Sequence, residues 1–244
     1  MMLVDLEAQG FDVPELSLQS IAAEAEAVLA EYEQMFGSRV EAPVEIEDIA
    51  TCVLDLDVGF EDLQARFNDR VHGALWLQSR TIRIDEELNP ARCPAMLPRY
   101  HFTLGHELGH WVLHRRYFID DHGNPLVFRE DESPEVICRA NGPRPLIERQ
   151  ADTFAGCLLM PDRLLRKAYR ELVGHEEPID DKELNRRLPN PTLENCSFVD
   201  GDEERMLDPM KIHREAFCEP LALQFAVSKV AMRIQLETLG FFKE

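Results

Sequence analysis

His106-Glu107-Leu108-Gly109-His110 is the stretch that decides how this chain is read. It is an instance of HExxH. Residues four apart lie on one face of a helix, so two imidazoles at this spacing can grip one metal ion. Glu107 points to an adjacent side, where a carboxylate can act on water held at that ion. The surroundings suit a helix: Phe102, Leu104, Leu108, Val112 and Leu113 supply apolar positions, and no proline interrupts Leu104 to His114. The plain alternative is a pair of surface histidines flanking an ordinary helical glutamate.

Two histidines need a third partner, because hydrolytic zinc sites use three protein ligands and keep one position open. The metzincin pattern requires Gly and His three and six residues after the second histidine. Leu113 and Arg116 stand there, which excludes that class. His114 continues the series but lies about 6 Å further along a straight helix axis, too far to share the ion comfortably. A better candidate is the segment Ile147-Glu-Arg-Gln-Ala-Asp-Thr-Phe-Ala155. Pro145 suits the first turn of a helix and Pro161 limits its far end. Glu148, Asp152, Ala155 and Leu159 then share one stripe. Asp152 can accept a hydrogen bond from His106 or His110, as the outer ring nitrogen of a metal-bound histidine usually requires. Ala151 and Ala155 would let the two helices approach closely. Glu148 and Asp152 lying in solvent is the competing reading.

Three stretches together, Phe102 to His110, Glu148-Arg-Gln-Ala-Asp-Thr-Phe-Ala155 and Leu158-Leu-Met-Pro161, resemble the ImmA/IrrE family of gluzincin-like metallopeptidases. The similarity extends to Ile21–Val58, Leu221–Ser228 and Arg233–Gly240. The resemblance implies Zn²⁺ held by His106, His110 and Glu148, with Glu107 as general base and acid. It implies a regulatory endopeptidase that cuts a helix-turn-helix transcriptional repressor. Two departures concern the substrate. The connection between His110 and Glu148 is long and acidic, and a second polar stretch runs from about Gly174 to Pro209. Such loops often decide what enters a cleft. Two other readings stay open: a toxin-like partner that binds its repressor without cutting it, and a DNA-binding regulator acting through the C-terminal helices.

Composition limits the alternatives. The formal charge is −20, from 46 acidic and 26 basic residues. That opposes nonspecific nucleic-acid binding and attachment to anionic membranes, and suits a basic protein partner. The six cysteines, Cys52, Cys93, Cys138, Cys157, Cys196 and Cys218, form no C-x-x-C pair. Scattered cysteines point to a reducing compartment and to small buried side chains. The N-terminus lacks the basic and apolar regions of a signal peptide, and no apolar run is long enough to span a bilayer. The expectation is a cytoplasmic protein, its oligomeric state open.

The predicted class is α+β: a mainly helical, zincin-like domain with a small sheet or hairpin beside the zinc helix, and helices at the C-terminus. The expected division is residues 1–173, the peptidase domain, and 174–244, an acidic insertion with helices packing on the core. Residues 1–15 read as a loose arm. A helix follows on Leu18, Ile21, Ala22, Ala25, Val28, Leu29 and Tyr32, ending near Gly37, then a shorter one over Ile46–Leu54. Gly73–Leu77 and Thr81–Asp85 read as a hairpin, either an edge strand open to an extended substrate or a cover for the zinc helix. The zinc helix spans about 98–115 and the ligand helix about 145–160, with a loop at 116–143 between them. Residues 174–215 read as irregular with short helices. The last two helices, near 219–225 and 228–239, have a helix-turn-helix outline, but only Lys229 and Arg233 are available as basic contacts. Tyr100, His101, His114, Tyr117 and His122 lie near the motif, with no basis for choosing among them as an additional hydrogen-bond donor.

Overall fold

A computed structural model describes residues 13–120, 122, 134, 136–139, 145–188 and 208–243. Most of the arm at 1–15, most of the 116–143 loop with its Glu130-Asp131-Glu132 run, the Asp202-Glu203-Glu204 run and Cys196 lie outside the described residues. The class is α+β, as the sequence predicts, and the chain divides into two compact units, Met1–Pro161 and Asp162–Glu244.

The first unit begins with α1, Leu18–Phe36. Ser17 caps it by accepting from the Ser20 amide at 3.1 Å, and Gly37 closes it at φ +66°, a left-handed conformation that costs glycine little. Its buried stripe is Ile21, Ala25, Val28, Leu29 and Tyr32. A short helix α2, Ile46–Asp48, continues as a π-helical stretch through Ile49–Val53, close to the single helix expected there. The sheet follows: β1, Asp57–Glu61; β2, Val71–Trp76; β3, Thr81–Asp85; and β4, Val136–Arg139. A five-residue helix α3, Leu63–Phe67, bridges β1 to β2. Its N-terminus is anchored by buried Asp85, which accepts from the amides of Leu63 and Gln64.

The hairpin forms as expected, with Gly73 opposite Ile84 and Trp76 opposite Thr81. Its place in the sheet differs from the edge position considered above. The strand order is β1-β3-β2-β4, so both hairpin strands are interior. β1 adds to β3 in parallel and β4 adds to β2 antiparallel. The edge beside β2 therefore comes from the 116–143 stretch, which the sequence presented as loop.

The helix expected to carry the zinc ligands is α4, Leu97–Gly109, and it passes directly into π-helical turns over His110–His114. The ligand helix is α5, Leu146–Leu159, preceded by Pro145. α4 packs on α5 and against β2 and β3, and α1 covers the other side of α5. α4 and α5 meet through very small residues. A Cβ on Gly105 would come within 3.2 Å of the Ala155 Cβ, and one on Gly109 within 2.9 Å of the Ala151 backbone. The expected role of Ala151 and Ala155 is thus met, and the matching small residues are the glycines within and beside HELGH.

The second unit is helical: α6, Asp162–Val173; α7, Asp181–Arg187; α8, Pro209–Gln224; and α9, Lys229–Thr238. α8 is longer than expected because Asp208 caps it ahead of Pro209, within the stretch read as irregular. Ser228 caps α9 by accepting from the Ala231 amide, and Gly240 follows at φ +74°. Tyr169, Ile179, Leu184, Phe217, Met232 and Leu236 are buried in this unit. No helix among the described residues is long and apolar enough to cross a membrane.

Candidate metal centre

His106, Glu107 and His110 sit on the buried face of α4 and its π-helical continuation, and Glu148 faces them from the first turn of α5. All four are at most 5% exposed. The Nε2 atoms of His106 and His110 lie 3.0 Å apart. Glu148 reaches His106 Nε2 with one oxygen at 3.1 Å and His110 Nε2 with the other at 3.4 Å. The three residues brought together are those the sequence singled out, and their donor atoms could hold a metal ion.

The proton positions make the case for a cation. Asp152 lies 2.9 Å from His106 Nδ1. An ionised carboxylate only accepts, so Nδ1 donates, and the neutral ring presents a lone pair at Nε2. His110 is oriented by a longer chain. Its Nδ1–H donates to His114 Nδ1 at 3.2 Å, and His114 Nε2–H donates to Gln150 Oε1 at 2.9 Å. The Gln150 amide nitrogen donates to the Pro14 carbonyl at 2.9 Å, which fixes which end of the amide faces His114. Burial, reinforced by neighbouring His110, pushes the pKa of His114 down to about 3, so it stays neutral and able to accept. His110 Nε2 therefore also presents a lone pair. Two lone pairs and a carboxylate converge with no donor between them.

Their spacing fits a metal. A tetrahedral ion with ligand distances of about 2.0–2.1 Å has donors about 3.3 Å apart. The separations of 3.0, 3.1 and 3.4 Å bracket that value. Both Glu107 oxygens and Glu148 Oε1 are buried with no hydrogen-bond partner, which a cation and its water would supply. Without a cation the cluster draws positive charge in another way. Burial lowers the pKa of His106, but Cys138, Asp152 and Glu148 outweigh it and hold the ring well above its usual value.

Glu107 is set apart from the ligating set. Burial, increased by nearby Glu148 and partly offset by His106, lifts its pKa to about 8. A carboxylate in such a dry site is a stronger base than one in water. Room for it comes from Gly73 on β2, where a Cβ would lie 2.4 Å from Glu107 Oε1.

Two residues at the site escaped the sequence reading. His114 is too far to be a ligand, as expected, but it orients His110. It ends a stretch of π-helical turns, and such turns are common at functional sites. Cys138 on β4 lies with His106 and Glu107 in a buried group whose ligating atoms are all within 4.8 Å of one another. Only the four-residue strand pairing carries it there, and no local motif marks it. Among the other neighbours of the motif, buried Tyr100 donates its hydroxyl to Glu47 at 2.7 Å and serves packing. Arg233 of α9 is 8% exposed and paired with Glu215 and Glu237, and Lys229 stands 4.0 Å from Glu219.

No curated protein matches the chain. Residues 53–192 match the IrrE N-terminal-like domain, Peptidase_M78, a stretch that contains HELGH, Glu148 and Asp152 and leaves Ile21–Cys52 outside it. With more than half of its length matched, and with the resemblance drawn from its motifs upheld, the chain belongs to the IrrE N-terminal-like family of metal-dependent peptidases.

Proposed function

We propose that this protein is a zinc-dependent regulatory endopeptidase whose substrate is a helix-turn-helix transcriptional repressor. The observation that carries the reading is the convergence of His106, His110 and Glu148 beside a buried, unpartnered Glu107 carboxylate. Zinc at the three residues supplies Lewis acidity, polarising a carbonyl oxygen and making water acidic enough to ionise near neutral pH. Glu107 takes the proton of the attacking water and returns it to the leaving amine. Asp152 orients His106, and the His114–Gln150–Pro14 chain orients His110. Thiolate-free N,N,O ligation by two histidines and a glutamate suits zinc in a hydrolytic role.

The substrate class rests on the family and on charge. A surface with a net charge of −20 favours a basic partner, as a DNA-binding protein commonly is. That attraction fades with salt as the Debye length falls from about 10 Å at 0.1 M to about 3 Å at 1 M. The test mixes the zinc-loaded protein with a candidate repressor. Wild type should yield one or two discrete fragments, while Glu107→Gln should keep its zinc, bind the repressor and leave it whole. If zinc-loaded wild type binds and does not cut, the protein is a non-cleaving partner instead.

A further inference from the structure

Gln150 stands between the surface and the metal centre. Its side chain is buried, yet its amide nitrogen donates to the carbonyl of exposed Pro14, in the segment ahead of α1. Its Oε1 accepts from His114 Nε2–H at 2.9 Å, and the Nδ1 atoms of His114 and His110 lie 3.2 Å apart. The partners of His114 are thus an imidazole and an amide, neither of them anionic. A buried cation between them would go uncompensated, so the ring carries one proton. A neutral imidazole has one donor and one acceptor, and the direction of each bond in this chain follows from the one before it. With Oε1 inward, His114 holds its proton on Nε2, His110 holds its proton on Nδ1, and His110 Nε2 offers a lone pair. Turned end for end, the amide would donate its N–H to His114 Nε2. His114 Nδ1–H would then donate to His110 Nδ1, and the His110 proton would stand on Nε2. That nitrogen lies 3.4 Å from Glu148 Oε1, a buried oxygen with no other hydrogen-bond partner. The reversed chain is therefore also fully bonded, but in it His110 donates a proton to Glu148 and has no lone pair for a cation.

We propose that Gln150 is a positioning residue with two settings, and that the segment ahead of α1 selects the one in which His110 can hold a metal. This rests on the assignment of zinc to His106, His110 and Glu148. The Pro14 carbonyl only accepts, so it admits the amide nitrogen and repels Oε1. Drawing that segment off the surface removes the bias, and the amide turns. Each ring keeps a single proton, which moves from Nδ1 to Nε2 on His110 and from Nε2 to Nδ1 on His114. No proton is gained or lost and no electrons change hands. A site competent for part of the time binds with its affinity reduced by the competent fraction, so a fraction of about one tenth gives about a tenfold loss. An exposed segment thus regulates a buried metal centre through three hydrogen bonds.

Zinc affinity of the full-length protein tests this without reference to turnover. Two glycines inserted between Glu15 and Leu16 carry the Pro14 carbonyl away from Gln150 and leave the Ser17 cap of α1 in place. Competition with a chelating dye should show zinc affinity lowered on the order of tenfold. Gln150→Glu is the control, because a carboxylate has no donor end to turn inward. The same insertion made in that variant should leave its affinity within twofold. Equal losses in the two backgrounds would show general damage to the fold, and no loss in the wild-type background would show that Pro14 sets nothing; either result overturns the proposal. Nitrogen-15 shifts of the histidine rings in the uninserted, zinc-free protein decide without any variant. The His114 proton should stand on Nε2, and a proton on Nδ1 refutes the proposal. Glu148→Ala separates it from the metal assignment: if that variant keeps the zinc affinity of wild type, the assignment itself fails.

Discussion

Gly73→Ala isolates the general base from the metal. The added Cβ would lie 2.4 Å from Glu107 Oε1, 3.1 Å from Glu107 Cδ and 3.0 Å from Thr103 Cγ2. Ordinary contact begins at 3.4 Å, so the carboxylate must retreat by about 1 Å, since the backbone of an interior strand is held by neighbours on both sides. A misplacement of about 1 Å in a reacting group can cost roughly 10²-fold in rate. The three atoms nearest that Cβ belong to Glu107 and Thr103 and none to His106, His110 or Glu148, so metal content should be untouched. The assay pairs metal analysis with cleavage of the protein substrate at saturating zinc. Expected is about one zinc per chain with kcat lowered on the order of 100-fold. Activity within twofold of wild type would refute the idea that Gly73 makes space for a working base. Loss of zinc together with activity would show that the strand, and not the carboxylate, had moved.

Three further outcomes follow from the same geometry. Asp152→Ala removes the acceptor 2.9 Å from His106 Nδ1 and should weaken zinc affinity by roughly 10–100-fold with the fold intact, as read by competition with a chelating dye. Gly109→Val drives a side chain into the Ala151 backbone 2.9 Å away, and should lower stability by about 1–3 kcal/mol in urea denaturation. It should also weaken zinc binding, because α5 carries Glu148; unchanged affinity would mean that the helix can shift without moving the ligand. Stripping the metal should lower Tm. Restoring free zinc to 100 times its Kd should return about 2.7 kcal/mol, and an unchanged melting curve would show that the folded state gains nothing from the ion.

The local features were legible because they are written in consecutive residues. The stripe from Ile21 to Tyr32, the Ser17 and Gly37 ends of α1, the HELGH helix and the Glu148–Asp152 spacing all follow from helical periodicity and capping. The hairpin was legible for the same reason, since two short alternating runs flank a turn. What could not be read were partners distant in sequence. β1 carries Gly59 between acidic ends and becomes a strand only by pairing with β3. β4 is four residues inside a long acidic stretch and gains its identity from β2. The sequence places His114 too far along the helix to be a ligand, and it is not one; its role in holding His110 was not legible because its other partner, Gln150, is 36 residues away. The helix also changes to π-helical turns at His110, and nothing in Trp111-Val112-Leu113 announces that change.

The two histidines of the candidate metal centre are supported unequally, and that inequality bears on how the site holds charge. His106 is backed directly by an anionic carboxylate, whereas His110 is backed by neutral groups, an imidazole, an amide and finally the Pro14 carbonyl. An anionic acceptor makes an imidazole more basic; a neutral chain fixes its tautomer and direction without adding charge. Gathering a second carboxylate behind His110 would have placed three acids, with Glu107 and Glu148, in a volume that excludes water. Like charges at such distances disfavour one another strongly. Glu107 already has a pKa lifted to about 8 by burial and by its neighbour Glu148. A further anion would push it higher still and hold the carboxyl more firmly in its protonated form. The neutral chain through His114 thus orients the second histidine without adding a further anion beside Glu107, and it runs along the π-helical turns that begin at His110.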